Sequence, residues 1–265
     1  MTQDQRTRPG DAGRTPPPRT GPVGWFGRPL HLEVRTPFEH RSLRRSPLWR
    51  GDGIPAGRGR PLLLIPGFLA GRHSVSSVAH VLAAAGWAVE TASVGRNSGP
   101  AYVGVDAAAA DLMRMYETFG PVTIVGHSRG GQFARVLAVR QPSAVAQVIA
   151  VGSPLLVKYP EIAVVKFPVS LLDRGWRAGA FGEVHPDREL AVDLDRSATF
   201  PTGIDFVSIY SRSDGIVDWR SCIEGAAVAI EVVASHRGLV RGVAGITAIG
   251  RALARQDGAP LTARG

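Results

Sequence analysis

The chain predicts an alternating α/β domain, with a mostly parallel central sheet covered by helices on both faces, and three observations predict it. Short apolar runs such as Leu62-Leu63-Leu64-Ile65 suit strands buried on both faces, and helical stretches separate them. One strand also runs through Gly126-His127-Ser128-Arg129-Gly130 directly into a helix. With 265 residues and 44% hydrophobic content, the chain can bury one large core and needs no second.

Residues 1–22 hold five prolines and almost no large apolar side chain, so they cannot offset the entropy of ordering and are expected to form a disordered basic tail. Residues 23–60 scatter Trp25, Phe26, Leu30, Leu32, Val34, Phe38, Leu43 and Trp49 among arginines with poor periodicity. They are expected to be an extension packed on or beside the domain, or a short edge strand. The domain proper, 61–255, opens with the Leu62–Ile65 strand, ended by Pro66-Gly67. A helix is expected over Ser74–Ala85, stopped by Gly86, then a strand over Trp87–Ala92 and a longer helix over Tyr102–Phe119 with a Gly120-Pro121 stop.

Pro121–Val125 is the next strand, and Gln132–Val139 the helix that follows the Gly-x-Ser-x-Gly turn. A side chain at the tip of such a turn takes unfavourable backbone angles, so its neighbours two residues away must be glycine for strand and helix to pass closely. Gly126 and Gly130 meet that need. The tip exposes the Ser128 hydroxyl, and the helix start beneath it directs N–H groups and a positive dipole end toward an oxyanion, which marks Ser128 as a candidate nucleophile.

Val145–Val151 continues the sheet, and from 155 to about 201 the regular alternation stops in a long apolar insert. Asp205–Tyr210 is the next strand, with Asp214 in an Asp-Gly turn at its carboxyl end and Asp218 as a nearby rival acid. Ala226–Ala234 reads as a further strand ending in Ser235-His236, and Leu239–Ala254 as one helix covering a sheet face. Residues 256–265 read as a loose end. Ser128, Asp214 and His236 thus occur in that order along the chain, while His185 falls in the insert.

The Gly-His-Ser-Arg-Gly-Gly stretch resembles the nucleophile elbow of the α/β-hydrolase superfamily, in the version found in bacterial lipases and esterases. The resemblance covers 61 to about 255 and implies a Ser128-His236-Asp214 triad that needs no metal or organic cofactor. It also implies an oxyanion hole from the backbone N–H groups of Phe68, after the first central strand, and of Arg129, directly after the nucleophile. The family inserts its lids where this chain carries 155–201. The implied activity is hydrolysis of small acyl esters or lipids. Acyltransfer or thioester hydrolysis would use the same triad, and a hydrolase-fold binding protein without turnover is the alternative from another class.

The formal charge is +9, and residues 1–60 contribute twelve arginines against five acids, so the basicity belongs mainly to the tail. Arginine dominates while lysine occurs only as Lys158 and Lys166, which argues for compositional drift rather than a nucleic-acid partner. Cys222 is the single cysteine and excludes an intrachain disulfide or a multi-cysteine metal site. No leader-like or membrane-spanning apolar run is legible, so a cytoplasmic protein is expected, with weak contact to a lipid surface through the insert as the one membrane role in view.

Overall fold

The computed structural model describes residues 30–156 and 186–258. Among these, six strands form one sheet: β1 Pro61–Ile65, β2 Ala88–Thr91, β3 Val122–His127, β4 Val145–Val151, β5 Asp205–Tyr210 and β6 Val228–Glu231. Their order is β2-β1-β3-β4-β5-β6, and every neighbouring pair is parallel.

Side chains alternate across this sheet, as a period of two requires. Leu63, Ile65, Ile124, Val148 and Phe206 pack on one face against helices α3, Ala101–Phe119, and α4, Arg129–Arg140. Leu62, Leu64, Val125, Ile149 and Val207 pack on the other. That second face is covered by α1 (Thr36–Arg45), α2 (Ser76–Ala84), α6 (Gly238–Arg241) and α7 (Val243–Ala254). Every residue of β1 and β3 is buried, which is why neither shows the alternation of a half-exposed strand. Each buried Leu or Ile contributes about 1.5–3 kcal/mol relative to exposure.

The structure revises several boundaries. The helix expected over Ser74–Ala85 divides into a 3-10 turn, Arg72–Ser74, and α2. The one expected over Leu239–Ala254 breaks at Gly242, whose extended backbone (φ −115°, ψ 161°) separates α6 from α7. The last strand is shorter than Ala226–Ala234 because β6 pairs with β5 alone. Beyond it the Ser211 hydroxyl takes over, accepting from Ala234 N at 3.1 Å and donating to Ala234 O at 2.7 Å.

The segment before β1 carries no strand among the described residues. It forms a 3-10 turn, Leu30–Arg35, then α1, then a second 3-10 turn, Pro47–Arg50. Leu43 is its fully buried anchor. Past α7, Gln256 donates to Thr123 Oγ1 at 2.6 Å and to Gln147 Oε1 at 2.8 Å, so the chain stays attached to the sheet at a point that reads as loose in sequence. The tail 1–22, the run 157–185 with Lys158, Lys166 and His185, and the last residues 259–265 lie outside the described residues.

The end of the insert is anchored to the body. Helix α5, Pro186–Ser197, buries Val192 completely, and Glu189 accepts from Ala101 N at 2.8 Å where α3 begins. Arg135 of α4 donates to the carbonyls of Asp195 and Ala198, and its guanidinium lies 2.6 Å from Glu224, with both side chains nearly buried.

Candidate active site

The carboxyl ends of β3, β4 and β5 and the loop beyond β6 converge on one site. At the tip between β3 and α4, Ser128 has φ 55° and ψ −122°, a left-handed conformation that ordinary side chains avoid. Its N–H donates to Val151 O at 2.8 Å, fixing the tip against β4. A methyl group at Gly126 would collide with the Gly130 carbonyl, and one at Gly130 would collide with Ile65 O and lie 2.8 Å from Pro66 O. The two glycines are therefore required by the close passage of strand, helix and the β1 loop.

Asp214 follows β5 and is 1% exposed. Its Oδ1 accepts from Ile216 N and Val217 N, each at 2.8 Å, which holds the carboxylate inside its own turn. Its Oδ2 lies 2.7 Å from His236 Nδ1. Because Asp214 is the acceptor, Nδ1 carries the proton and Nε2 presents a lone pair when the ring is neutral. Asp218, the rival acid, is occupied elsewhere, capping the 3-10 turn Trp219–Cys222 by accepting from Arg220 N at 3.0 Å.

Burial alone would push the Asp214 pKa up, yet the His236 ring and the turn N–H groups hold it below the ordinary carboxylate value. Burial likewise opposes charge on His236, but the Asp214 charge and hydrogen bond, with help from Glu33, raise its pKa above the ordinary histidine value. The Cys222 thiol is pushed well up by burial and by the Asp214 charge, which leaves it inert.

His236 sits over the ends of β3 and β4: a methyl at Gly152 would lie 3.3 Å from its Nδ1, and its ring centroid is 4.6 Å from that of His127, the residue before Ser128. Among the described residues no hydrogen bond joins Ser128 Oγ to His236 Nε2. The structure thus pairs acid and histidine directly without closing the contact to the serine, a contact that in ligand-free enzymes often tightens only with substrate.

Two backbone loops meet Ser128 from the other side. A methyl at Gly67 would come within 2.9 Å of Ser128 Cβ, so the Pro66-Gly67-Phe68 loop lies against the serine. Arg129 opens α4, so its N–H belongs to the helix's first turn, at the positive end of the dipole. The buried Arg129 side chain donates to Asn97 O and Gly99 O, each at 2.9 Å, and its guanidinium lies 5.5 Å from the Phe68 ring. Asn97 donates in turn to Pro66 O at 2.8 Å. These bonds tie together the two loops that carry the Phe68 and Arg129 N–H groups.

Sequence reasoning missed four residues at this site. His127 Nε2 donates to His236 O at 3.1 Å, and burial, followed by the nearby His236 charge, lowers its pKa to about 3, so it stays neutral. The Arg129 side chain is the second. Glu33 and Glu39, before β1, accept from the backbone of the histidine loop, Glu33 from His236 N at 2.7 Å and Glu39 from Ser235 N at 2.9 Å. Their signal in sequence is slight: three acids stand among eight arginines in residues 23–60, and these are two of them.

The α/β-hydrolase fold family model matches residues 60–201, more than half of the chain, and the chain belongs to that family. Comparison with curated proteins gives no significant match. Among solved structures, one from the metagenome-derived lipolytic enzymes LipS and LipT is similar at 17% identity and TM-score 0.56, over 78% of this chain and 96% of that one. MGS-MChE2, an α/β hydrolase from the metagenome of lagoon sediments at Mar Chica, Morocco, is similar at 15% identity and TM-score 0.53, over 77% and 94%. A candidate non-heme bromoperoxidase, BpoC of Mycobacterium tuberculosis H37Rv, aligns at 16% identity and TM-score 0.52, over 76% and 93%. At these identities the likeness is one of fold. Among the described residues no cluster of three or more potential metal ligands occurs, and no helix is long and apolar enough to cross a membrane.

Proposed function

We propose that the chain hydrolyses carboxylic esters through an acyl-enzyme on Ser128, with His236 as general base and acid and Asp214 as its orienting carboxylate. The observation that carries this reading is the buried Asp214–His236 pair, 2.7 Å apart, together with a serine held at φ 55° at the end of β3. Nothing but nucleophilic chemistry accounts for that combination as economically, since a strained residue and a buried ion pair both cost stability.

In this mechanism Ser128 Oγ attacks the ester carbonyl carbon while its proton passes to His236 Nε2. The resulting imidazolium is stabilised by Asp214, and the N–H groups of Phe68 and Arg129 receive the oxyanion. Collapse breaks the C–O bond, and His236 returns the proton to the departing alcohol. Water then attacks the acyl-enzyme by the same route, yielding the carboxylic acid and free Ser128. The apolar composition of the stretch that begins at 155 favours small acyl esters or lipids over charged substrates.

The test is hydrolysis of p-nitrophenyl esters of two to sixteen carbons by wild type and Ser128→Ala, with a fluorophosphonate probe alongside. Serine-dependent turnover and labelling are expected, and the chain-length optimum separates esterase from lipase. Folded protein that neither turns over nor labels would overturn the reading.

A further inference from the structure

The loop that carries His236 lies beyond the sheet ladder. It leaves β6, an edge strand paired on one side, and His236 lies five residues beyond the last paired position. Besides Ser211 and the turn into α6, side chains from distant parts of the chain hold its backbone. Glu33 Oε1 accepts from His236 N at 2.7 Å and from Gly215 N at 3.0 Å, and Oε2 accepts from Arg237 N at 3.3 Å. On the opposite side, His127 Nε2 donates to His236 O. Glu39 binds the N–H and hydroxyl of Ser235, and Thr36 Oγ1 lies 3.0 Å from the same hydroxyl.

Glu33 therefore touches both loops at once, the acid loop next to Asp214 and the histidine loop at His236. We infer that Glu33 is a positioning residue, whose carboxylate clamps Gly215 to His236 and so sets the Asp214–His236 geometry from a segment that precedes the first strand. The inference rests on reading His236 as the base.

The groups facing His236 are Asp214 from the acid loop, Glu33 from the 3-10 turn before α1, His127 from the end of β3 and Arg237 beside it in the chain; Glu39 of α1 reaches the loop through Ser235. Asp214 and Glu33 favour the imidazolium, and Arg237 opposes it. Removing the Glu33 charge therefore favours the neutral ring.

The decisive measurement is an NMR titration of the His236 ring in ¹⁵N-histidine protein, assigned with His236→Gln, in wild type, Glu33→Gln and Glu33→Ala. Glu33→Gln removes the charge but keeps an oxygen able to accept from Gly215 N and His236 N, so the His236 titration is expected to move to lower pH with kcat largely kept, while Glu33→Ala, which removes both charge and clamp, moves further. In ester turnover, the acid limb of kcat/KM is expected to follow the ring. Glu33→Ala should lose about tenfold or more in kcat with little change in KM, as misplacement of a catalytic group does.

An unmoved His236 titration in folded Glu33→Ala would overturn the inference, as would lower thermal stability of Glu33→Ala with kcat per folded molecule intact. Because the titration needs no substrate, it decides the clamp even if Ser128 proves unreactive; loss of turnover and labelling in wild type would sink the hydrolase reading separately.

Discussion

Replacing Ser128 by glycine is expected to stabilise the protein relative to Ser128→Ala, because the two variants lack the same hydroxyl and differ in whether a Cβ must occupy φ 55°, ψ −122°. Holding a side chain in such a region costs about 1–3 kcal/mol. Glycine accepts these angles but loses more chain entropy on folding, about 0.5–1 kcal/mol relative to alanine. The difference leaves the glycine variant ahead by up to about 2.5 kcal/mol, about 1.2 kcal/mol at the centre. For a chain of this size 1 kcal/mol moves the midpoint by about 2–4 °C, so a rise of about 4 °C over Ser128→Ala is expected. Differential scanning calorimetry of the two variants and wild type provides the assay, with circular dichroism to confirm a shared fold. A glycine variant melting at or below the alanine variant would show that the tip stores no strain, and the argument from backbone to nucleophile would fail with it.

Three further outcomes follow from the same geometry. The His236 pKa is raised and the ring must be neutral to accept the Ser128 proton, so kcat/KM should fall as pH drops through a value above 6.5, and a profile flat to pH 5 would contradict the assignment. His127 is held neutral down to about pH 3, so between there and 6.5 the unfolded chain binds the extra proton and stability should rise with pH by up to about 1.4 kcal/mol per unit. In His127→Gln, urea titrations across that range should show a shallower dependence. Glu224→Gln strips the charge from the partner of the nearly buried Arg135 and should cost about 3–5 kcal/mol, read as a lowered urea midpoint at unchanged m.

The sheet and the elbow were legible because burial on both faces writes continuous apolar runs and because the passage of α4 over β3 admits only glycine at 126 and 130. β4 and β5 have the expected boundaries for that reason. Helix α1 was not legible. Of its ten residues only Thr36 and Leu43 are buried, so no apolar stripe of helical period marks it. Its start carries Thr36-Pro37-Phe38-Glu39, which has the spacing of a self-capping box, yet neither side chain caps the helix; both are turned to Ser235. A local signal was diverted to a contact about 200 residues away, and no local window can register that. Turn chemistry alone does not separate Asp214 from Asp218, and it was the resemblance that favoured Asp214; the path of the chain beyond β6 brings that one to His236.

Arg129 shows what a degenerate motif conceals. In Gly-x-Ser-x-Gly the residue after the serine is written as a wildcard, which treats it as interchangeable. Here its guanidinium spans two carbonyls, and one of the residues it holds, Asn97, reaches on to Pro66. A lysine has a single ammonium in place of that planar fork and does not reproduce its geometry. Saturation libraries or homologue searches that leave this position unconstrained will therefore mix chains that share the elbow with chains that share the brace, and the second group is the narrower and more informative set.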